Sequence, residues 1–359
     1  MARLRRVDCA GPGIQRVRRG RGFTYRHAGG NTVTDPDILQ RIADLVIPPA
    51  WNDVWICPHP RGHIQALGTD AAGRRQYRYH DDWRVQRDLV KHERVLTFAK
   101  RLPKARVFVA GHLSQRGMTK QRVLATAFRL LDLGFFRVGG ETYAEANGTF
   151  GLATMRRDHV TVTGTMVVFD YIAKSGKHRV QSVVDDNVRK VVLALLKRDD
   201  SEGGRGNELL AYKDRSGWHD ISSADINAYL REVLGAEVSA KDFRTWHATV
   251  LTAVGLAVST QAPTTESARK RAVNRVVKEV STYLGNTPAV CRSSYIDPRV
   301  IDLYDDGVTI AWSLERLGLD ADFGQPATHG AVEGAVLTLL KKPAKASGRR
   351  RATSPLTAA

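Results

Sequence analysis

Five residues of this 359-residue chain have side chains that could carry chemistry together. Tyr295 lies in "LGNTPAVCRSSYIDP", just past a strongly helical stretch, and Asn286 precedes it in the same segment. Arg137 is expected at the end of a helix, Lys174 at the tip of a β-hairpin, and Arg244 at the start of an apolar helix. Taken alone, Tyr295 could fill a core, stack on a base or act as a nucleophile.

Each basic residue also has an ordinary structural interpretation. Arg137 could cap a helix C-terminus, and Lys174 could simply be solvated. Arg244 could pair with Asp242 or Glu141, because a charge on an apolar helix is costly without an anionic partner.

Considered together, the five residues suit attack on a phosphodiester. Two guanidiniums, Arg137 and Arg244, can bind the charge that builds on the non-bridging oxygens. Lys174 can protonate the departing sugar oxygen, and the Asn286 amide can donate one more hydrogen bond to the phosphate. Nearby guanidiniums would also ease Tyr295 towards the phenolate.

Motifs for other chemistry do not occur in the sequence. It has no GxxxxGK[ST] phosphate loop and no HExxH metal motif. The DxD pair Asp320 and Asp322 is interpreted as a helix cap rather than a magnesium site. Three cysteines without a CxxC pattern argue against a structural zinc site and favour a reducing compartment. We therefore expect no metal, no ATP dependence and no cofactor.

The composition indicates a polyanionic partner. The chain has 55 Lys and Arg against 37 Asp and Glu, a formal net charge of +18. Clustered basic side chains favour phosphates, so nucleic acid is a better candidate than an anionic membrane surface. Without a signal sequence or an apolar run long enough to span a bilayer, a cytoplasmic, nucleoid-associated protein with no membrane partner is expected.

The elements that must position these residues fall into four predicted regions, in an α+β fold. They are a basic flexible arm at 1–22, a β-rich N-terminal domain at 23–90, a mainly α-helical domain at 91–330 with a β-hairpin insert at about 150–184, and a basic disordered tail at 331–359.

These motifs resemble the type IB DNA topoisomerases of the compact branch found in bacteria and poxviruses. The resemblance covers most of the chain and rests on "IPPAWNDVWI", "GRRQYRYH", "FRVGGETY", "KDFRTWHAT" and "LGNTPAVCRSSYIDP". It implies a monomer with the type IB topoisomerase/tyrosine recombinase fold, whose two domains form a clamp around double-stranded DNA. It implies that the domain at 23–90 binds DNA and that the domain at 91–330 is catalytic. It also implies relaxation of supercoils by transient single-strand cleavage, swivelling and religation without ATP or metal.

The resemblance gives the five residues specific roles. Tyr295 would form a 3′-phosphotyrosyl link, with Arg137 and Arg244 stabilising the transition state and Lys174 acting as general acid. Asn286 occupies a position where much of the family has histidine. Because an amide does not titrate, phosphate positioning is the role expected there, and the route by which Tyr295 loses its proton stays open.

"GRRQYRYH" matches the segment with which the family contacts DNA. In an extended strand Gln76 would face one way and Tyr77 and Tyr79 the other. Without the resemblance, an exposed strand with half-packed tyrosines is an equally good interpretation. The residues predicted to contact DNA are Arg74, Arg75, Gln76, Tyr77, Tyr79 and Tyr143.

Two alternatives remain at this point. A tyrosine recombinase shares the catalytic fold, but it usually has histidine where this chain has Lys241, and it lacks the "IPPAW" domain. A non-catalytic DNA-binding protein on the same fold would not need Tyr295.

Overall fold

The computed structural model describes residues 3–199, 207–259, 265–317 and 329–342. The chain forms two compact units, the first ending at His92 and the second beginning at Glu93. The sequence predicted a domain boundary at 90. Each unit has its own apolar core, and the α+β fold class is confirmed.

The first unit is a twisted antiparallel sheet with one packed helix. Its five strands lie in the order β2-β1-β3-β4-β5. The elements are β1 Ile14–Arg19, β2 Gly22–Arg26, α1 Pro36–Asp44, β3 Asn52–Ile56, β4 Ile64–Thr69 and β5 Arg75–Tyr79.

The predicted flexible arm at 1–22 is wrong for the residues of β1, which pair with both β2 and β3. Ile14 is 1% exposed in the core. Arg16 lies over the Phe23 ring, 4.1 Å from its centroid, and donates to the Trp51 carbonyl at 2.6 Å. The Arg16 side chain therefore packs and hydrogen-bonds within this unit, whereas the prediction had assigned the whole segment to a flexible arm.

Helix α2, Asp81–Leu113, contains the division between the units. The second unit continues with α3 Lys120–Gly134, α4 Glu141–Asn147, β6 Val160–Thr163, β7 Met166–Ala173, β8 Lys177–Val184, α5 Asp186–Leu196, β9 Ala211–Asp214, β10 Gly217–Asp220, α6 Ser223–Leu234, α7 Ala240–Val258, α8 Glu266–Leu284, α9 Pro288–Ser294, α10 Pro298–Asp305, α11 Ala311–Leu317 and α12 Ala331–Leu339.

Helix α7 lies at the centre of the second unit. Phe243 and Trp246 on this helix have no exposed surface, and the Phe243 ring packs edge-on against Phe98 and Phe128. Such aromatic burial supplies much of the apolar stabilisation of a core. A helix anchored this firmly is a rigid support for the side chains that it carries.

Two antiparallel sheets accompany the helices. β6, β7 and β8 form a three-stranded sheet within the region where the sequence predicted a β-hairpin insert, with Ala173 paired to Lys177 beside the turn. β9 and β10 form a two-stranded sheet that the sequence did not predict.

The predicted disordered tail at 331–359 is wrong for α12, whose Val336 and Leu339 are buried. Glu333 accepts from the Trp246 indole at 2.8 Å and pairs with Arg106, so a buried charge network fixes this helix. Residues 343–359 of that prediction lie outside the described residues, as do Asp320 and Asp322. Among the helices that the structure describes, none is long and apolar enough to cross a membrane.

Candidate active site

Backbone packing fixes the segment that carries Arg137. After α3 the chain turns through Phe135 in the left-handed region, at φ 57°. The Arg137 carbonyl then accepts from the Leu152 amide at 2.8 Å. A Cβ on Gly151 would lie 2.5 Å from the Gly139 backbone, so only glycine permits this close approach. Arg137 therefore projects from a backbone with little freedom to move.

Arg244 is a buried arginine on α7, with 3% of its surface exposed. Its guanidinium donates to the Phe135 carbonyl and, at 2.7 Å, to the Leu284 carbonyl. Neither carboxylate considered from the sequence pairs with it. Asp242 accepts from Arg94 at 2.8 Å, and Glu141 accepts from Ser223.

No carboxylate among the described residues therefore compensates the Arg244 charge. Burial, and then the neighbouring Arg137, lower the pKa of Arg244 to about 10, so the group is still charged at neutral pH. A buried cation without a counter-ion is costly to folding, and such groups are concentrated at functional sites. This arrangement indicates a site for an anion.

Asn286 joins the two arginines. Its Oδ1 accepts from Arg137 Nη2 at 2.9 Å and from Arg244 Nη2 at 2.7 Å. Because both neighbours can only donate, the amide oxygen must face them, which leaves the Nδ2 donor for another partner. The main chain of Asn286 is also fixed. Its backbone N–H donates to the Ser281 carbonyl at 3.0 Å, directly after Gly285, which ends α8 in the left-handed conformation.

Tyr295 lies at the end of α9, half-buried beside the arginines. Its ring centroid is 5.1 Å from Arg244 Cζ and 5.9 Å from Lys241 Nζ. Thr249 on α7 supports the backbone after Tyr295. Its hydroxyl donates to the Thr245 carbonyl at 2.8 Å, accepts from the Asp297 amide at 3.1 Å and lies 3.4 Å from the Tyr295 carbonyl.

The electrostatic surroundings favour the Tyr295 phenolate. Burial acts to raise the pKa of the phenol, but the charges of Arg244, Arg137 and Lys241 outweigh it, so the pKa of Tyr295 is lowered. The site thus combines a potential oxygen nucleophile with two guanidinium donors.

Lys174 does not reach this cluster. It is exposed at the turn between β7 and β8, and its ammonium makes no hydrogen bond or ion pair with the described residues. The structure therefore brings together Tyr295, Arg137, Arg244 and Asn286 from four separate segments, and leaves the predicted general acid outside them.

Sequence reasoning missed two basic residues next to the site. In the sequence analysis, Lys241 was used only to distinguish topoisomerases from recombinases. Its position three residues before Arg244 on a helix nevertheless predicts that the two side chains lie on the same face. Arg179 on β8 donates to the main chain at the end of α8. Every residue has a main-chain carbonyl, so the side-chain types in the sequence could not have predicted this contact.

The predicted DNA-contact strand alternates as expected. Tyr77 and Tyr79 are 41% and 40% exposed, and their rings stack with centroids 6.0 Å apart. On the other face, Gln76 donates to Asp70 at 2.9 Å, and Arg74 pairs with the same carboxylate at 3.0 Å. The tyrosine pair therefore forms an open aromatic surface, while Gln76 and Arg74 share an intramolecular anion.

The remaining two predicted contacts lie in different units. Arg75, in the first unit, is exposed and makes no ion pair with the described residues. Tyr143, in the second, is 42% exposed on α4. Within the second unit, Tyr143 makes no hydrogen bond with any of the four clustered residues that the structure describes.

One group of possible metal ligands lies elsewhere in the second unit. Asp132 Oδ1 is 3.6 Å from His247 Nε2 and 3.5 Å from His329 Nε2, with all three residues shielded from solvent. Arg106, however, donates to both Asp132 oxygens, at 2.8 and 2.9 Å. A carboxylate engaged in this way is a poor ligand, and Asp132 is better described as the partner of Arg106 in a buried ion pair beside two histidines.

Comparison with known families identifies the class of protein. A family model described as the catalytic core of eukaryotic DNA topoisomerase I matches residues 80–310, well over half of the chain. A second, the N-terminal domain of bacterial DNA topoisomerase IB, matches residues 22–70.

Individual relatives agree with these matches. DNA topoisomerase 1B of Acanthamoeba polyphaga mimivirus is 29% identical over 301 residues, covering 82% of this chain and 88% of the viral protein. DNA topoisomerase 1B of vaccinia virus is 21% identical over 241 residues, covering 67% and 72%. DNA topoisomerase 1 of Candidozyma auris is 30% identical over 130 residues, covering 36% and 16%.

These matches place the chain among the DNA topoisomerases. More narrowly, it belongs to the type IB family, with a bacterial-type N-terminal domain and a catalytic core shared with eukaryotic enzymes, as its sequence motifs predicted. It is an isomerase that binds DNA and relaxes it.

Proposed function

We propose that Tyr295 is the nucleophile of this relaxation reaction. Its phenolate oxygen attacks a DNA phosphate, an O–P bond to the tyrosine forms at the 3′ side, and the bond to the 5′ oxygen breaks. The free strand swivels, and the released 5′-hydroxyl reverses the step. The phosphotyrosyl ester conserves the energy of the broken bond, so the cycle requires neither ATP nor a metal.

The observation that carries this proposal is the buried, uncompensated charge of Arg244 beside Tyr295. A phosphate supplies the missing anion, and Arg137 offers a second guanidinium on the same Asn286 oxygen. Charge developing on the non-bridging oxygens is stabilised by donors that are already in place. The Asn286 Nδ2 group then supplies a further donor to the phosphate.

Lys174 is the proposed general acid, and its support is different. It rests on the order of residues in the family and on the place of Lys174 at an exposed hairpin turn, where a long side chain can meet DNA. On this proposal the turn approaches the 5′ oxygen only when DNA is bound.

The proposed DNA surface of the first unit is the Tyr77–Tyr79 pair on β5, with Gln76 reading bases in a groove and Arg74 and Arg75 contacting phosphates. In the second unit Tyr143 is a proposed phosphate contact.

Three broader features belong to the same proposal. The two units act as domains that close as a clamp around duplex DNA, and the enzyme works as a monomer. It is cytoplasmic and associated with the nucleoid, consistent with the net charge of +18.

The decisive experiment replaces the nucleophile. Tyr295→Phe should abolish plasmid relaxation and the covalent adduct while DNA binding is retained, because one oxygen atom is removed. Tyr283 is an exposed tyrosine near the end of α8, and Tyr283→Phe is the matched control that should relax plasmid normally. Peptide mapping of a trapped adduct to any tyrosine other than Tyr295 would overturn the assignment.

A further inference from the structure

Arg179 connects the hairpin that carries Lys174 to the segment that carries Asn286. From β8 its Nη1 donates to the Thr282 carbonyl at 3.1 Å, and its Nη2 donates to the Tyr283 carbonyl at 2.7 Å. These carbonyls belong to the last turn of α8, where a cation is favoured, and the Thr282 carbonyl also accepts from the amide of the cap residue Gly285 at 3.0 Å.

The contact is close and directional. A Cβ on Gly285 would lie 2.5 Å from Arg179 Nη1, so the guanidinium rests directly on this glycine, next to Asn286. A guanidinium that donates through two nitrogens to two successive carbonyls fixes its own orientation as well as its position.

Two further residues fix the same part of the hairpin. Tyr171 is paired with Arg179 across the strands, and its hydroxyl donates to Gln181 at 2.7 Å. Gln181 in turn donates to the Gly134 carbonyl at the end of α3. The base of the hairpin is thus attached to the ends of α3 and α8, which lead into Arg137 and Asn286.

The distance from this attachment to the turn is short. Arg179 is the third residue of β8, and a strand advances about 3.3 Å per residue, so the attachment lies roughly 7 Å from the first residue of the strand. Among the described residues, the Lys174 ammonium makes no hydrogen bond or ion pair of its own. On the β7 side of the turn, the Ile172 carbonyl accepts from the Phe150 amide at 2.8 Å. On the β8 side, Arg179 is the side chain that fixes the strand relative to the segment that carries Asn286.

We propose that Arg179 is a positioning residue that sets Lys174 for proton donation to the 5′ oxygen. The inference rests on the proposed role of Lys174. In the cleavage step the Tyr295 oxygen bonds to phosphorus, the bond to the 5′ oxygen breaks, and the Lys174 proton passes to that oxygen. Two of the five N–H donors of Arg179 are engaged by main-chain carbonyls of α8, so the side chain holds the hairpin against that helix.

The test compares two leaving groups in single-turnover cleavage. One duplex has the normal 5′ oxygen at the scissile phosphate, and the other has a bridging 5′ sulfur. A thiol has a pKa of about 8.5, far below that of an alcohol, so sulfur departs without general acid help. General acid catalysis is worth ~10²–10⁴-fold, and Arg179→Gln should forfeit at least about tenfold of it with oxygen. With sulfur, the variant should cleave within about threefold of wild type.

The ratio of the two rates is internal to each preparation, so partial unfolding does not alter it. Arg179→Lys keeps the charge but cannot bond both carbonyls in the same way, and it should show a smaller effect with the same sulfur rescue. Arg189→Gln removes an equivalent charge from an exposed ion pair on α5 and should change neither rate.

The outcomes separate the two proposals. If Arg179→Gln slows both substrates equally, the residue acts through the phosphate or the nucleophile and the inference is wrong. It is equally wrong if neither substrate is slowed. If Lys174→Ala is not rescued by sulfur, the general acid assignment itself fails, whatever Arg179 does.

Discussion

Replacing Asn286 with aspartate should make the protein more stable and much less active. The substitution is nearly isosteric, and it puts a negative charge at the point where Arg137 and Arg244 both donate, at 2.9 and 2.7 Å. The introduced carboxylate would supply within the chain the anion that we expect a DNA phosphate to supply. Stability and activity should therefore change in opposite directions.

The magnitude follows from the contacts. At an effective dielectric constant of 20, a charge pair at 4 Å gains about 4 kcal/mol, and two arginines contribute. Desolvating the carboxylate opposes this by several kcal/mol, so a net gain of about 1–3 kcal/mol is expected. At roughly 2–4 °C per kcal/mol, Tm should rise by about 2–12 °C.

The pH dependence supplies an internal check. The guanidiniums would hold the pKa of the introduced carboxyl below its usual value of about 3.9. Because the folded-state pKa is depressed, the extra stability is fully present above the unfolded-state pKa of about 3.9 and is lost as the pH falls through the lower folded-state pKa. The Tm difference between variant and wild type should accordingly shrink in acid.

Activity should fall by at least about 10²-fold, since the carboxylate occupies the donors that would stabilise the transition state. Plasmid relaxation and thermal unfolding measure the two effects on one preparation. Asn286→Ala is the control, because it removes the shared acceptor without adding charge and should lower both stability and activity. An Asn286→Asp protein that relaxes plasmid at near wild-type rate, or that melts below wild type, would refute the argument.

Three further predictions concern other parts of the molecule. Gly151→Ala should lower Tm and relaxation together, because its Cβ would lie 2.5 Å from neighbouring backbone, whereas Gly140→Ala, with open space around it, is the matched control. Asp70→Asn should free Arg74 and tighten duplex binding, with the slope of log affinity against log salt steeper by about 1, as measured by titration at several salt concentrations. Burial lowers the pKa of His247 from 6.5 to about 4, so the stability that the neutral imidazole contributes is fully present above pH 6.5 and is lost as the pH falls towards 4. Between these pH values, the free energy of unfolding in urea should therefore fall less steeply for His247→Gln than for wild type.

Much of the site could be predicted from residue types, because phosphodiester chemistry requires a nucleophile and cationic donors. Four of the five predicted residues, Tyr295, Arg137, Arg244 and Asn286, do lie together. The carboxylate partners considered for Arg244 could not be excluded from sequence. Proximity along a helix suggested Asp242, but that carboxylate instead pairs with Arg94, far away in the chain.

The two errors in the fold have different origins. The arm was predicted as flexible because it is rich in arginine. The prediction of a disordered tail rested on the basic residues from Lys341 onwards, but it also included the apolar segment at 331–340. Arg16 nevertheless stacks on an aromatic ring inside the sheet, and α12 is held through Glu333 by the Arg106 network. Composition records how many charges a segment has, but not whether partners elsewhere in the chain neutralise or cover them.

The attachment of the Tyr295 backbone to Thr249 has a consequence for how the reaction ends. Helix α7 carries both Thr249 and Arg244, so the Tyr295 backbone and the Arg244 guanidinium share one support. On the proposed mechanism, the phosphorus bound to Tyr295 would stay beside Arg244 while the distant DNA end rotates. Resealing would then need only the return of the 5′-hydroxyl. Such a nick would close by default, and the motion of DNA would govern the lifetime of the break.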